Sequence, residues 1–438
     1  MAAPAQKIQS QPAVRARKNR LSALLFLAPA LVTLAVLVAY PILNTAWLSL
    51  RSDDGLRFVG LHNYAAIFTG PETRRALANN AVWVVVAPSL VTILGLIFAV
   101  LGERIRASTA FKLILFMPMA ISFLAAGVTF RLVYDESPDR GALNALTVAV
   151  HDAFAPPSKY HGARPRDAGV LVADGGGYRT SQPVATQRPV LLPLVGLPAG
   201  RIPEDARPAT VPAGSTGVSG VVWLDFTPGG GGTAGALDPA ERGLPGMVVE
   251  AVRDGRVVAR TTTGPAGTFA FPELTGGPYS IQLSAGNFTE PFAGATWLGP
   301  TFVTPAIIGA YIWIWAGFAM VLISAALAAI PRDTVEAARV DGASDWQVFR
   351  RVTIPLVRPV LAVVLVTLVV NVLKIFDLVL VLAPESSQDD ATVVALEMYR
   401  VSIGQQHFGM GSALAVLLFL FVLPAMVFNV RRLRKDEP

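Results

Sequence analysis

Six stretches of this chain are apolar for long enough to cross a hydrocarbon core, at residues 22–49, 78–101, 111–133, 302–329, 358–382 and 411–429; about 20 helical residues suffice. None shows the two-residue alternation of a barrel strand, and backbone groups in lipid must be paired within the segment. The pattern therefore predicts six transmembrane helices and an all-α polytopic membrane protein. Pro29, Pro41, Pro88, Pro118, Pro305 and Pro424 fall inside the runs as tolerated kinks. Ala28-Pro29-Ala30 has small residues of the kind found at signal cleavage sites, but the apolar run continues to about Leu50, which is anchor length.

Between the third and fourth runs, residues 151–296 change character and become rich in Gly and Pro. GVSGVVWLDF, GMVVEAV, RVVARTTT, TFAF and YSIQL are short β-branched or aromatic runs. Asp254-Gly255, Gly264-Pro265 and Gly276-Gly277-Pro278 separate them with turn chemistry. A small β-sandwich is expected over 217–283. The earlier stretches PPSKYHGARPRDAG and LLPLVGLPAG carry little periodicity and read as loop or minor β structure.

Composition agrees with a membrane protein: 53% of residues are hydrophobic and 15% charged, with a mean hydropathy of +0.52. A soluble enzyme is disfavoured. The absence of cysteine excludes disulfides, thiolate metal sites and a cysteine nucleophile. The net charge of +6 sits beside the apolar runs. Lys7, Arg15, Arg17, Lys18 and Arg20 precede the first, Arg104, Arg106 and Lys112 follow the second, and Arg431, Arg432, Arg434 and Lys435 end the chain. With five arginines between 331 and 358, these segments share one side, expected to be cytoplasmic. The expected plan is a basic cytoplasmic tail (1–21), three spans (22–150), an extracytoplasmic insert (151–296), three more spans (297–432) around a polar loop at 331–359, and a cytoplasmic end (433–438).

That loop contains EAARVDGASDWQVFRRVTIPLVRP, residues 336–359. Asp333 with Glu336, and Ser344 with Gln347, have capping-box spacing, and Gly342 suits the left-handed residue ending a helix. Helix, tight turn, helix is expected, with Pro355 and Pro359 ending the second helix before the fifth span. Ala337, Ala338, Val340, Ala343, Trp346, Phe349 and Val352 offer a small apolar face for docking on another protein. A surface connector at the headgroups is the competing reading. A DNA-reading helix-turn-helix is a weak reading because spans begin within a few residues on both sides, leaving a duplex little room to approach, so no nucleic acid partner is expected.

Glu336-Ala337-Ala338, Gly342 and Ile354-Pro355, extended by Asp341, Ala343, Phe349 and Pro359, resemble the EAA motif of permease subunits of binding-protein-dependent ABC importers. FLAPALVTLAVLVAYPILNTAWLSL, FVGLHNYAAIF, ALANNAVWV and LKIFDLVLVL resemble the carbohydrate-transporting branch. The resemblance covers most of 20–150 and 297–432, without the insert. It implies a bacterial cell-membrane permease whose EAA loop docks on a cytoplasmic ATPase. In that reading Glu336 anchors by polar contact, Ala337 and Ala338 pack closely, and Gly342 makes the turn. Implied partners are a second permease, two ATPase subunits, an external solute-binding protein and a sugar. ATP is used by the partner, with no cofactor bound here and no enzymatic activity; the chain lacks a GxxxxGK[ST] phosphate loop.

Ionisable groups inside spans are functional suspects. Lys374 and Asp377 lie three apart and, with Asn371 and Phe376, could line a sugar path or form a structural ion pair. Ala383-Pro384-Glu385 stands where the family often has a Gly-Gly-Pro turn. The module at 217–283 resembles the immunoglobulin-like or prealbumin-like repeats of bacterial surface proteins. Asp225, Asp238 and Glu241 are its calcium candidates, outweighed by plain surface polarity because the intervening TPGGGGTAGAL lacks alternating oxygen ligands. The four histidines lack metal-ligand spacing. A membrane-anchored adhesion or sensor protein is the alternative of another class, and a proton-coupled secondary transporter is the third.

Overall fold

The computed structural model describes residues 26–433 apart from 187, 213–216, 275 and 277. The tail at 1–21 and all but Leu433 of the end segment 433–438 lie outside the described residues. The chain divides into two compact units, a helical one and an insert, Glu136–Ala295. Residues 136–150, expected with the third span, belong to the insert.

The helical unit opens with α1 (Phe26–Leu48), α2 (His62–Thr69) and α3 (Pro71–Arg104). The third apolar run is not one straight helix. It forms α4 (Ser108–Phe116), a 3₁₀ turn over Met117–Ala120, and α5 (Phe123–Val133). The two parts meet at a 102° bend. Pro118, taken from sequence as a mild kink, supplies no N–H at this turn. Ile121 then goes extended, and Ser122 restarts the helix by accepting from Ala125 N at 3.3 Å. Among the described residues five helices are long and apolar enough to cross a membrane, or six if this bent pair counts as one span.

After the insert come α7 (Val303–Ala328), α8 (Arg332–Val340) and α9 (Asp345–Val348). A π-helical segment, Phe349–Thr353, joins α9 to α10 (Ile354–Leu373). The proline expectation fails here: helix runs unbroken from Asp345 to Leu373. The Ile354 N–H reaches Phe349 O, five residues back. This widened turn supplies the slack that a proline ring needs just inside the next helix. The break falls instead at Lys374–Phe376, before α11 (Asp377–Leu382). α12 (Val394–Tyr399) and α13 (Phe408–Leu433) complete the unit.

α7 is apolar all round and its residues are buried on most faces, as suits a central helix. Small residues permit close approach: a Cβ on Gly95 would collide with Ala319, and one on Gly317 with the Leu115 carbonyl.

The insert begins with α6 (Ala142–Phe154) and continues in two five-stranded sheets. One holds β1 (Arg164–Pro165), β4 (Val190–Val195), β5 (Val218–Leu224), β6 (Arg242–Gly243) and β9 (Thr268–Phe271). The other holds β2 (Leu171–Asp174), β3 (Gly177–Thr180), β10 (Ser280–Leu283), β7 (Val248–Arg253) and β8 (Arg256–Thr262). Leu171, Leu192, Leu194, Val222, Val249 and Ile281 meet in one core fed by both sheets. The β-module is wider than 217–283, because the aperiodic stretch before it supplies full members. β4 pairs in parallel with β5, and β3 pairs with β10. β5 is buried on both faces, since Val221 and Trp223 pack under Ala209 and Leu237 on the side away from the main core. The β7–β8 turn is the expected Asp254-Gly255 pair, both at positive φ (51° and 75°).

Candidate functional site

The loop at 331–359 is built almost wholly from local backbone bonds. α8 ends in a Schellman arrangement: Gly342 N donates to Arg339 O and Ala343 N to Ala338 O, each at 3.0 Å, with Gly342 at φ +84°. Two residues on, Ser344 and Gln347 form the expected capping box, at 2.8 Å (Ser344 N to Gln347 Oε1) and 3.4 Å (Gln347 N to Ser344 Oγ). The Asp333–Glu336 box does not form: Pro331 is the N-cap and Asp333 sits within the first turn. There its carboxylate favours the helix dipole.

From Arg332 to Thr353 only Val348 is buried. Glu336, Ala337, Asp341 and Gly342 are exposed, and Ala338, Ala343 and Phe349 are half-buried. Glu336 makes no hydrogen bond or ion pair among the described residues. It lines a cavity of about 720 Å³ with Glu103, Arg332, Val335, Arg339 and Phe349. Val340 is 86% and Trp346 66% exposed, with the Trp346 ring 5.7 Å from Phe349. Arg339 and Asp345 pair across the turn at 3.1 Å, an exposed bridge that contributes little. Pro355 is exposed on the first turn of α10.

The four path candidates do not converge. Asn371 donates back to Thr367 O at 2.9 Å. Lys374 and Asp377 are both exposed and form no ion pair among the described residues. Their i, i+3 relation fails because the helix stops between them. Phe376 lies at the break with its ring 5.0 Å from Tyr399.

Sequence reasoning missed a clamp on the segment leading into α12. Asn79 Nδ2 donates to Asp390 O and Thr392 O at 2.8 and 2.9 Å, and Val394 N donates to Asn80 Oδ1 at 2.7 Å. The signal was the Asn79-Asn80 pair within ALANNAVWV. Asn63, within FVGLHNYAAIF, likewise holds Ser49 O and Arg51 O. Glu397 is buried beside Arg400; burial pushes its carboxyl above the usual range, a rise that Arg400 opposes.

In the insert, Asp225, Asp238 and Glu241 bond to protein groups. Arg166 Nε and Gly235 N both donate to Asp225 Oδ2 at 2.8 Å, and Thr233 N donates to Asp238 Oδ2 at 2.7 Å. Trp223 Nε1 donates to Glu241 Oε2 at 2.8 Å.

Residues 257–434 match the family described as "Binding-protein-dependent transport system inner membrane component". The chain is 28% identical over 417 residues to the osmoprotective compounds uptake permease protein GgtC of Synechocystis, covering 94% of this chain and 99% of that protein. It is 28% identical over 424 residues to the alpha-glucoside transport system permease protein AglF of Rhizobium meliloti, covering 96% and 84%. Alignments of this length run through the insert as well as the spans. A trehalose/maltose transport system permease protein, MalF of Thermococcus litoralis, is 36% identical over 146 residues, 32% of this chain and 48% of that one. Among solved structures, a chain of a bacterial ABC transporter involved in import of the acidic polysaccharide alginate shares the fold. Its TM-score is 0.56 at 14% identity, over 98% of this chain and 100% of that one.

Proposed function

We propose that this chain is a sugar-transporting permease of a binding-protein-dependent ABC importer and forms half of a transmembrane path whose opening is driven through the loop at 331–359. It is a transport component of the inner membrane and not an enzyme. The observation that carries the proposal is a turn fixed by its own backbone bonds yet presenting Val340 and Trp346 to solvent. Large apolar groups held outward by a rigid turn suit a partner's groove better than a lipid surface, where they would be spread along one helix face.

In this reading the loop and both termini are cytoplasmic, a second permease completes the path, and two ATPase subunits receive the coupling loops. Val340, Trp346 and Ala337 enter the ATPase surface, Glu336 supplies the polar contact from the cavity rim, and Gly342 keeps α8 and α9 at a fixed angle. ATP binds the partner subunits. The break at Lys374–Phe376 borders the path, with Phe376 and Asp377 as contacts. Substrates named for the relatives make an α-glucoside or related oligosaccharide the proposed cargo. The insert is placed outside the cytoplasm, where it meets a solute-binding protein; the alginate transporter has been solved with a pentasaccharide-bound periplasmic protein.

Reconstitution with the ATPase and binding protein tests this directly. A loaded binding protein is expected to raise ATP hydrolysis, most with α-glucosides, and Glu336→Ala is expected to weaken ATPase capture. Stimulation by none of the α-glucosides would overturn the cargo. Unchanged ATPase capture and uptake in both Glu336→Ala and Gly342→Val would overturn the coupling role.

A further inference from the structure

We propose that α6, Ala142–Phe154, is an interfacial helix that seats its apolar face in the headgroup layer of the membrane crossed by the neighbouring spans. Leu146, Val150 and Phe154 recur at four-residue spacing and are 59%, 53% and 88% exposed. The alanines at 142, 145, 149 and 153 fill the rest of that face and are exposed too.

The opposite face is already taken by the insert. Asn144 is fully buried; it donates to Glu136 O and Ala295 O at 3.1 and 3.0 Å, and its Oδ1 accepts from Ala295 N at 2.9 Å. The His151 ring stacks on Phe292 at 4.5 Å. The insert's hold on the polar side therefore leaves the apolar side turned away from it.

Lipid is the occupant that the chain path favours. Ala142 follows the end of α5 at Val133 by nine residues, and Ala295, bonded to Asn144, precedes the start of α7 at Val303 by eight. Asn144 thus ties together the two ends of the insert, so α6 is separated along the chain by no more than nine residues from a helix of the apolar unit on either side. Protein-binding patches are anchored by large side chains near their centre. Here the middle of the face is Leu146 and Val150 set among small alanines, and the one large ring, Phe154, is at the end. α6 contains no Lys or Arg, and its one carboxylate, Asp152, pairs with His151 at 3.1 Å. Seating therefore depends on apolar burial and not on anionic lipid.

Because the chain contains no cysteine, single cysteines at Val150 and Phe154, and a control at exposed Val257 in β8, can each carry a nitroxide in the full complex in lipid nanodiscs. The labels at 150 and 154 are expected to collide several-fold more with oxygen, relative to a water-soluble nickel chelate, than the label at 257. The ratio should be equal in zwitterionic and anionic nanodiscs. Chelate access at 150 and 154 matching that at 257 would overturn the proposal. So would shielding that appears only when the solute-binding protein is added, which would make the occupant a protein.

Discussion

The loop at 331–359 and the insert solve opposite problems. The loop has one buried residue between Arg332 and Thr353 and keeps its shape through a Schellman turn and a capping box. The insert holds a two-sheet core, with Trp223, Leu192, Ile281 and Leu283 essentially inaccessible. Yet the loop carries the sharper sequence signature. A pattern so specific in a segment with so little to pack internally implies that its constraint comes from outside the chain, whereas the insert's sequence answers chiefly to its own core.

The largest expected effect is in the core. Trp223→Ala empties an inaccessible site and removes a donor from Glu241, costing about 3–5 kcal/mol. Hydrogen exchange should accelerate in β4 and β5 and stay unchanged in α7; exchange unchanged in β5 would break the comparison. Gly342→Val comes next. No atom crowds the site, so the cost is backbone strain at φ +84°, about 1–2 kcal/mol or more. Membrane levels should match wild type while ATP-driven uptake is lost.

Ser344→Ala removes one half of the capping box for about 1 kcal/mol. If all of that appears in docking, ATPase capture should weaken by about fivefold. Glu397 offers a pH test outside the spans. Its carboxyl is held above the usual value, so the native state is favoured while it is protonated. That contribution is fully present below the unfolded pKa and is lost as pH rises through the folded one. Glu397→Gln should flatten the corresponding fall in melting temperature. The smallest effect belongs to Lys374→Ala and Asp377→Ala, whose consequences for uptake should be additive within about 0.5 kcal/mol because the two groups are not paired.

What the sequence made legible follows from local rules. The helical character of the apolar runs, Gly342, the Ser344–Gln347 box and the Asp254-Gly255 turn are each decided within a few neighbouring residues and appear in the structure, although the third run is bent and the fifth is broken. What escaped depended on distant partners or on backbone accommodation. β4 was obscure because its pairing lies with β5, far along the chain, as in Leu192 with Val222, whereas the β2–β3 hairpin around Gly175-Gly176 was a local signal that went unread. Pro355 and Pro118 were misjudged in opposite directions, since a π turn absorbs the first and a 3₁₀ turn yields to the second. Lys374 and Asp377 looked adjacent only under the assumption of a continuous helix.

The π turn at Phe349–Thr353 has one more consequence. By keeping helix continuous across Pro355 it makes a single rod from Asp345 to Leu373, 29 residues, or about 43 Å long. A tilt of about 10° at the Trp346 end would sweep the far end through about 7 Å. The far end is where the rod stops, at Lys374, and a short separate helix begins at Asp377. A continuous helix ending at a joint passes its swing to that joint, so a small rotation at the Trp346 end becomes a local rearrangement beside Phe376.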